Sequence, residues 1–438
     1  MYIPRDIDSD LKQWKENGRR KPLLLRGVRQ CGKTRSVRHL GEQFESYVEI
    51  NLEKQISLRA VFSEDIDVKK IISRLELESR QPIRPGKTLL FIDEIQECPR
   101  AVTALRYFYE ELPELHVIAA GSLLEIVLYN NKKEPIDFPV GRIRSMFMYP
   151  FSFREFLRGT GQTLLCDYLD QLDPSEGDNF AHEKLLEAYK TFLIVGGMPE
   201  AVADFHENHS FLSCQNIHQD ILFNFRDNIA KYKTNIPSDV LRQVFEYSLH
   251  HVCSQVNVSS AIPGISAYYF EESIKLLQRA GLIYPVKSSS CETLPLGSGE
   301  KRANTKLLTF DSGIYLTEND LDAGELLSAD VFERINKGAV VEMQTGLELV
   351  KYSGSFREAA LYYWYRAGAN AKVDYVIQKD QMIIPVEVKA SGKGSMQSIY
   401  SYLKTFPQVP YGVRVSLENF SSYENIRVLP LYAIKKLV

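Results

Sequence analysis

Two runs in this sequence place residue types at spacings that suit phosphate chemistry. The first, Gly27-Val28-Arg29-Gln30-Cys31-Gly32-Lys33-Thr34, sets two glycines around four variable residues and closes on a lysine and a hydroxyl. Glycines let backbone N–H groups wrap a phosphate, and a helix beginning at Lys33 would aim its free N–H groups and positive dipole end at the same anion. Lys33 would reach the β- and γ-phosphates of a nucleotide, and Thr34 would give its hydroxyl oxygen to Mg2+. The contact set extends from Gly27 to Thr34 and on to Arg35. The second run, Leu89-Leu90-Phe91-Ile92-Asp93-Glu94, is an apolar strand ending in two carboxylates. Asp93 is expected to hold Mg2+ and Glu94 to orient and polarise the attacking water. Ser122, after the run HVIAA, is a candidate sensor of the γ-phosphate, against the blander reading of a simple turn. Arg142 and Arg29 are candidate sources of positive charge for the phosphates, with a solvated surface arginine as the alternative for each.

A separate constellation lies near the carboxyl end. Asp374 sits in VDYVIQ, and Glu387-Val388-Lys389 in IIPVEVK, with the short turn KDQ between the two strands. Alternation in the second strand puts Glu387 and Lys389 on one face, opposite Ile384, Val386 and Val388. Two carboxylates on neighbouring strands plus a lysine are what metal-assisted phosphodiester hydrolysis requires, the acids holding Mg2+ or Mn2+. Glu342, on the helical run before them, is a candidate third ligand beside Asp374 and Glu387. The plain alternative is an amphipathic strand with a solvated Glu and Lys. His206 and His209 are spaced for a metal, but no third ligand is near in sequence, and a polar helix end reads better.

The elements that must position these residues follow from periodicity. Through about residue 125, apolar strands alternate with amphipathic helices, the pattern of a parallel sheet covered on both faces. The expected layout is α/β: a P-loop NTPase parallel sheet over 1–150, a helical lid or connector over 151–235, a winged-helix-like unit over 236–312 and a restriction-endonuclease-like α/β unit over 313–438. The winged-helix order rests on helix, helix, a helix at Ile265 to Arg279, then strands GLIYPVK and KLLTFD. Glu271 and Glu272 beside Lys275 and Arg279 give that last helix less positive charge than a major-groove reader usually presents, so protein contact or structural bridging stands level with DNA reading.

The 438 residues suit several domains, and a formal charge of −3 argues against a wholly basic nucleic-acid coat protein. Six scattered cysteines without a CxxC pair read as reduced thiols, and no apolar run approaches a membrane span. A cytoplasmic location without membrane contact is expected.

On YIPRDI, LLLRGVRQCGKT, LLFIDEIQECP, AAGSLLE, GRIRSMFMYPFSFREFL, VGGMPEAV, KLLTFDSGIY, GAVVEM, VDYVIQ and IPVEVK, the chain resembles, nearly end to end, a broad family of prokaryotic ATP-binding proteins. These join an AAA-type (AAA+ superfamily) ATPase domain to a carboxyl-terminal domain of unknown function related to the PD-(D/E)xK nucleases. The resemblance implies Lys33 and Thr34 as contacts to ATP and Mg2+, Asp93 and Glu94 as hydrolytic acids, and Asp374, Glu387 and Lys389 as a nuclease-like triad. Cys31 departs from the small aliphatic residue often found there and would make the loop sensitive to oxidation. The leading expectation is an Mg2+-dependent ATPase coupled to a nuclease-like domain acting on nucleic acid, DNA ahead of RNA. The alternative is an ATP-driven switch whose nuclease-like domain only binds nucleic acid or protein, and a sequence-specific transcription factor ranks third. AAA-type sites often borrow an arginine from a neighbouring subunit, so a homo-oligomer is compatible with either of the first two.

Overall fold

The computed structural model describes residues 2–62, 66–121, 138–173, 178–231, 235–321, 337–366, 371–390 and 395–438. Ser122, and with it the expected sensor position, lies outside the described residues.

The amino-terminal part alternates as its periodicity predicts: α1 (Ile7–Glu16), β1 (Leu23–Arg26), α2 (Lys33–Gly41), β2 (Ser46–Asn51), α3 (Val68–Ser79), β3 (Thr88–Asp93), α4 (Pro99–Glu111), β4 (His116–Ala120) and β5 (Arg144–Phe147). The strands form one sheet in the order β2-β3-β4-β1-β5, and every pairing is parallel. Because side chains alternate across a strand, a continuously apolar strand must feed two cores. Leu23, Leu25, Leu89, Phe91 and Ile118 enter one core, whereas Leu24, Leu90, Ile92 and Val117 enter the other. Pro99 at the first turn of α4 suits its fixed φ, and the Asp67 side chain caps α3 by accepting from the N–H groups of Lys69 and Lys70.

Helices follow: α5 (Phe153–Gly159), α6 (Thr163–Gln171), α7 (Asn179–Val195), α8 (Pro199–Asn208) and α9 (Phe211–Lys231). Ser152 and Glu155 close a capping box at the start of α5. His209 ends α8 in the left-handed conformation, so the His206/His209 pair is a helix terminus.

The region expected to be winged-helix-like holds α10 (Ser238–His250), β6 (Val256–Asn257), α11 (Ala267–Arg279), β7 (Ile283–Ser289) and β8 (Glu300–Thr309). Between α10 and α11, where a further helix is expected, the short strand β6 pairs with β8 instead. After α12 (Ser312–Glu318) come α13 (Lys337–Tyr352), β9 (Leu361–Tyr365), β10 (Lys372–Lys379), β11 (Met382–Val388), α14 (Gln397–Thr405), β12 (Gly412–Ser416), β13 (Ser421–Tyr423) and β14 (Ile426–Pro430). All nine strands from β6 onward share one sheet, ordered β13-β14-β12-β11-β10-β9-β7-β8-β6. β7 runs parallel to β9, with Val286 opposite Leu361, so the sheet continues across the boundary expected at 312/313. Burial links the two halves as well: one apolar core includes Leu25, Phe151, Phe192, Val286, Leu307, Val386 and Leu431.

Candidate functional site

The strand β1 delivers the glycine-rich loop and α2 leaves it at Lys33. Gly27 has φ 150°, and a Cβ there would lie 2.1 Å from the Met148 carbonyl oxygen, so only glycine fits this close backbone crossing. Lys33 Nζ donates to the carbonyls of Gly27 at 2.8 Å and Val28 at 2.9 Å. Thr34 Oγ1 donates to Asp93 Oδ2 at 3.0 Å, which joins the loop's hydroxyl to the acid at the end of β3. Asn51, opposite Asp93 in the sheet, directs Nδ2 at the same oxygen from 3.5 Å. Burial, reinforced by the charge of Glu94, pushes the Asp93 carboxyl above its ordinary range. A carboxylate without its counter-charge behaves in this way, and a divalent cation would reverse the effect. Glu94 follows in the left-handed conformation at φ 49° and accepts from Gln96 Nε2.

The remaining expected contacts divide. Arg29 is half-buried on the loop and Arg35 exposed on α2. Arg142 is displaced from the site: it precedes β5 at the amino-terminal ends of the parallel strands, whereas the glycine loop follows β1 at their carboxyl-terminal ends, and it pairs with Glu110 at 2.9 Å. It therefore cannot serve the phosphates of its own chain from this position. Cys31 is fully buried with Sγ directed at the Met148 carbonyl, which is not the exposed thiolate that favours oxidation. All six cysteines are free and buried.

Arg5, a residue not singled out from sequence, braces the loop from behind. Its Nη1 donates to Cys31 O at 2.8 Å, Nη2 to Tyr149 O at 2.7 Å and Nε to Glu155 Oε1 at 2.8 Å. Glu155 also accepts from the backbone N–H groups of Asp6 and Ser152. Burial pushes the Glu155 carboxyl up, but the Arg5 guanidinium pulls it further down. The only sequence signal for Arg5 is its place in YIPRDI. On the other side, Gly281 at the α11–β7 turn lies against Val28, where a Cβ would meet the Val28 nitrogen at 3.1 Å.

The carboxyl-terminal residues come together. Tyr375 pairs with Val386 in the β10–β11 hairpin, which sets Asp374 and Glu387 across from each other one step further along. Both are buried, at 8 % and 3 % exposure. Asp374 Oδ2 accepts from the N–H of Val388 at 3.0 Å, and Lys389 Nζ lies 2.7 Å from Glu387 Oε1. Glu387 Oε2 is buried without a hydrogen-bond partner. Burial, with Asp374 adding to it and Lys389 opposing, pushes the Glu387 carboxyl up to about 7.

Lys306, from β8, was missed in sequence because it is one of several polar residues of that strand, EKRANTKLLT, and lies 68 positions before Asp374. Its Nζ is 2.6 Å from Glu342 Oε1 and 3.6 Å from Asp374 Oδ1, and its side chain is 0 % exposed. Lys372 stands 3.8 Å from Asp374 Oδ1. Asp374 and Glu387, opposite each other in the hairpin and with Glu387 Oε2 buried and unpartnered, fit a divalent cation. Glu342, the expected third ligand, has its Oε1 2.6 Å from the Lys306 ammonium, whose side chain is fully buried, whereas the Lys389 beside Glu387 is part-exposed. Among the described residues, Glu246, His250 and Glu318 converge more tightly, but Arg226 already pairs with both acids there.

Comparison with known proteins agrees with the first half of this geometry. Residues 19–157 match the family model of an AAA domain. Residues 186–325 and 337–434 match two domains of unknown function, DUF8612 and DUF4143. The amino-terminal part is thus an AAA-type P-loop fold. The first of the two uncharacterised matches spans residue 312, as the sheet does. No curated protein matches the chain. Similar solved structures include the Aeropyrum pernix ORC1 protein in complex with DNA, at 14 % identity and TM-score 0.29 over 73 % of this chain and 94 % of that one. Others are the Thermotoga maritima RuvB Holliday junction branch migration motor (14 %, 0.28, 64 % and 89 %) and the replication initiator DnaA bound to AMPPCP and single-stranded DNA (13 %, 0.28, 64 % and 88 %). Overlaps this loose carry no functional argument. No helix among the described residues is long and apolar enough to cross a membrane.

Proposed function

We propose that the chain hydrolyses ATP with Mg2+ at the Lys33–Asp93 site and couples nucleotide state to a nuclease-like carboxyl-terminal domain that acts on nucleic acid, DNA ahead of RNA. The observation that carries the ATPase reading is the 3.0 Å Thr34–Asp93 contact at the mouth of the glycine loop. Thr34 and Asp93 would hold Mg2+, which neutralises phosphate charge when bound. The loop's N–H groups and Lys33 would bind the phosphates, and Glu94 would orient the attacking water and accept its proton. The Lys33 ammonium, now resting on two carbonyls, exchanges these for phosphate oxygens. An arginine for the γ-phosphate would come from a neighbouring subunit in a homo-oligomer, a role for which exposed Arg142 is available once its surface pair with Glu110 opens.

In the carboxyl-terminal unit, read as restriction-endonuclease-like over 313–438 with the winged-helix-like hairpin of 236–312 added to its sheet, Asp374 and Glu387 would hold Mg2+ or Mn2+. Lys389 would stabilise charge at the reacting phosphate. The test is cleavage of single- and double-stranded DNA and RNA by wild type beside Glu387→Ala, with Mn2+, with and without ATP. Cleavage that disappears in the variant and responds to ATP supports the coupled reading. Intact substrates beside intact ATP hydrolysis overturn it.

The second reading, an ATP-driven switch whose nuclease-like domain only binds nucleic acid or protein, is favoured by one specific observation. Each acid of the cluster already has an ammonium within 4.0 Å: Lys306 for Glu342 and Asp374, Lys372 for Asp374, and Lys389 for Glu387. Retention of nucleic-acid affinity after Asp374→Ala, with no metal uptake in wild type, would select it.

A further inference from the structure

We propose that Lys306 is a built-in cation of the carboxyl-terminal acid cluster, filling the seat between Glu342 and Asp374 that a second divalent ion would take and leaving one metal position, at Asp374 and Glu387. The inference rests on the reading of those two acids as metal ligands, but its own content concerns Lys306.

Placement distinguishes Lys306 from its neighbours. Lys372 and Lys389 keep 36 % and 27 % of their side chains exposed and can swing into water, whereas Lys306 keeps none. Its strand is fixed, because Thr305 to Thr309 of β8 pair in register with β7, before the irregularity at Lys287/Ser288, and set Lys306 opposite Val286. Its ammonium lies 4.9 Å from the Tyr363 ring centre and 5.7 Å from that of Tyr375, so aromatic faces share its charge. It also donates to the Asp374 carbonyl at 3.3 Å. Two carboxylates, a carbonyl and two aromatic faces thus surround an ammonium whose side chain has no exposed surface.

The charge consequence is local. Without Lys306, Glu342 and Asp374 would face each other as like charges in a water-poor site and would draw in a cation. With Lys306 present that demand is met, and the unpartnered oxygen left in the cluster belongs to Glu387. An ammonium neutralises charge but accepts no ligand and polarises no bound water. A cluster built this way can therefore use at most one metal, in contrast to paired-metal sites that clamp both the attacking and the leaving oxygen.

The test is Mn2+ binding to the full-length, nucleotide-free chain, read by electron paramagnetic resonance of the free ion, in an Asp93→Asn background that silences the glycine-loop site. One Mn2+ per chain, lost in Glu387→Gln, is expected in the background. Lys306→Met should bind a second Mn2+ or bind the first at least tenfold more tightly, and adding Glu342→Gln should abolish the gain. Unchanged number and affinity in Lys306→Met or Lys306→Gln overturns the proposal. Should either variant melt early, the proposal requires Mn2+ to restore its melting temperature, and absence of rescue overturns it equally. Failure of the underlying reading looks different. If the background chain binds no Mn2+, the Asp374–Glu387 metal position is lost, while a gain in Lys306→Met would still show that the lysine occupies a cation's seat.

Discussion

Arg5→Met offers the sharpest test of how the nucleotide loop is held. The guanidinium makes contacts with Cys31, Tyr149 and Glu155 in a site where Arg5 is 7 % and Glu155 4 % exposed. Methionine preserves most of the packing volume but leaves Glu155 as a buried carboxylate without its counter-charge. Loss of one partner from a buried pair costs about 3–5 kcal/mol. That is a large share of the roughly 5–15 kcal/mol by which a domain is stable. Part of the charge is still stabilised by the N–H groups of Asp6 and Ser152, which favours the lower end of the range. Glu155→Gln removes the charge while keeping an acceptor for one of those N–H groups. The double variant Arg5→Met/Glu155→Gln should therefore cost less than the sum of the two single changes, by about 1–3 kcal/mol. Urea unfolding of the four proteins measures this, and the ATP KM should rise with Arg5→Met because the Cys31 carbonyl loses its anchor. In wild type the folded Glu155 pKa is depressed, so its contribution is present above the unfolded value near 4.5 and is lost as pH falls through the folded value. In Arg5→Met burial acts without Arg5 and raises the orphaned carboxyl, so the gap between variant and wild type should narrow as pH falls from the variant's raised folded value through the wild type's depressed one. A cost under about 1 kcal/mol, or strict additivity in the double variant, would refute the idea that this pair braces the loop.

Glu94→Gln should keep ATP affinity within a few-fold while turnover falls by about two to four powers of ten, read by phosphate release beside binding of a fluorescent ATP analogue; turnover within twofold of wild type would remove Glu94 from the chemistry. His116, buried against Trp14 and Phe44, has its pKa pushed down to about 4 by burial, with Arg20 adding to the effect. A base whose folded pKa is depressed binds fewer protons folded than unfolded, so stability should fall by up to about 3 kcal/mol as pH drops from 6.5 to about 4, and His116→Gln should flatten that part of the unfolding profile. Gly281→Val should destabilise by about 1–3 kcal/mol, since φ is +75° there, and weaken ATP binding through the Val28 contact; unchanged ATP affinity in a folded variant would make the contact merely structural.

The amino-terminal sheet is legible because each of its signals is local. LLLR, TLLFID and HVIAA are too continuously apolar to face water on either side, and the glycine loop fixes where the first strand gives way to a helix. The Asp374–Glu387 hairpin is legible for the same reason, as alternation and a short turn settle its register. What sequence hid was long-range. Lys306 sits at the polar end of KLLTFD, after the charged run EKRANT, and its partners are Glu342 on α13 and Asp374 on β10. Pairing of β7 with β9 is also invisible locally, because a parallel neighbour can lie any distance along the chain. The unit over 236–312 consequently looked self-contained in sequence, although its hairpin belongs to the nine-stranded sheet. Arg142, expected to bring charge to the phosphates, instead precedes β5, whose Arg144 lies opposite Leu23 at the start of β1, which puts it at the end of the sheet away from the glycine loop, an arrangement set by a long-range strand pairing.

These long-range pairings give the two proposed sites a common framework. Val28 in the glycine loop touches Gly281, which opens into β7; β7 is hydrogen-bonded to β9, and β9 to the strand that carries Asp374. A second connection runs through α13, whose Glu348 accepts from the N–H of Phe153 and whose Lys351 donates to the Phe151 carbonyl, two residues from the Tyr149 carbonyl that Arg5 holds. Contiguity is not coupling, since a rigid body transmits position without changing any equilibrium. Coupling requires that ATP bind two arrangements of this framework unequally, and thermodynamic linkage then obliges any nucleic-acid ligand to alter ATP affinity by the same factor. The Gly281 corner is where such arrangements would differ most cheaply. It is a turn with no side chain of its own, pressed against the loop whose backbone must rearrange when Lys33 leaves the Gly27 and Val28 carbonyls for phosphate.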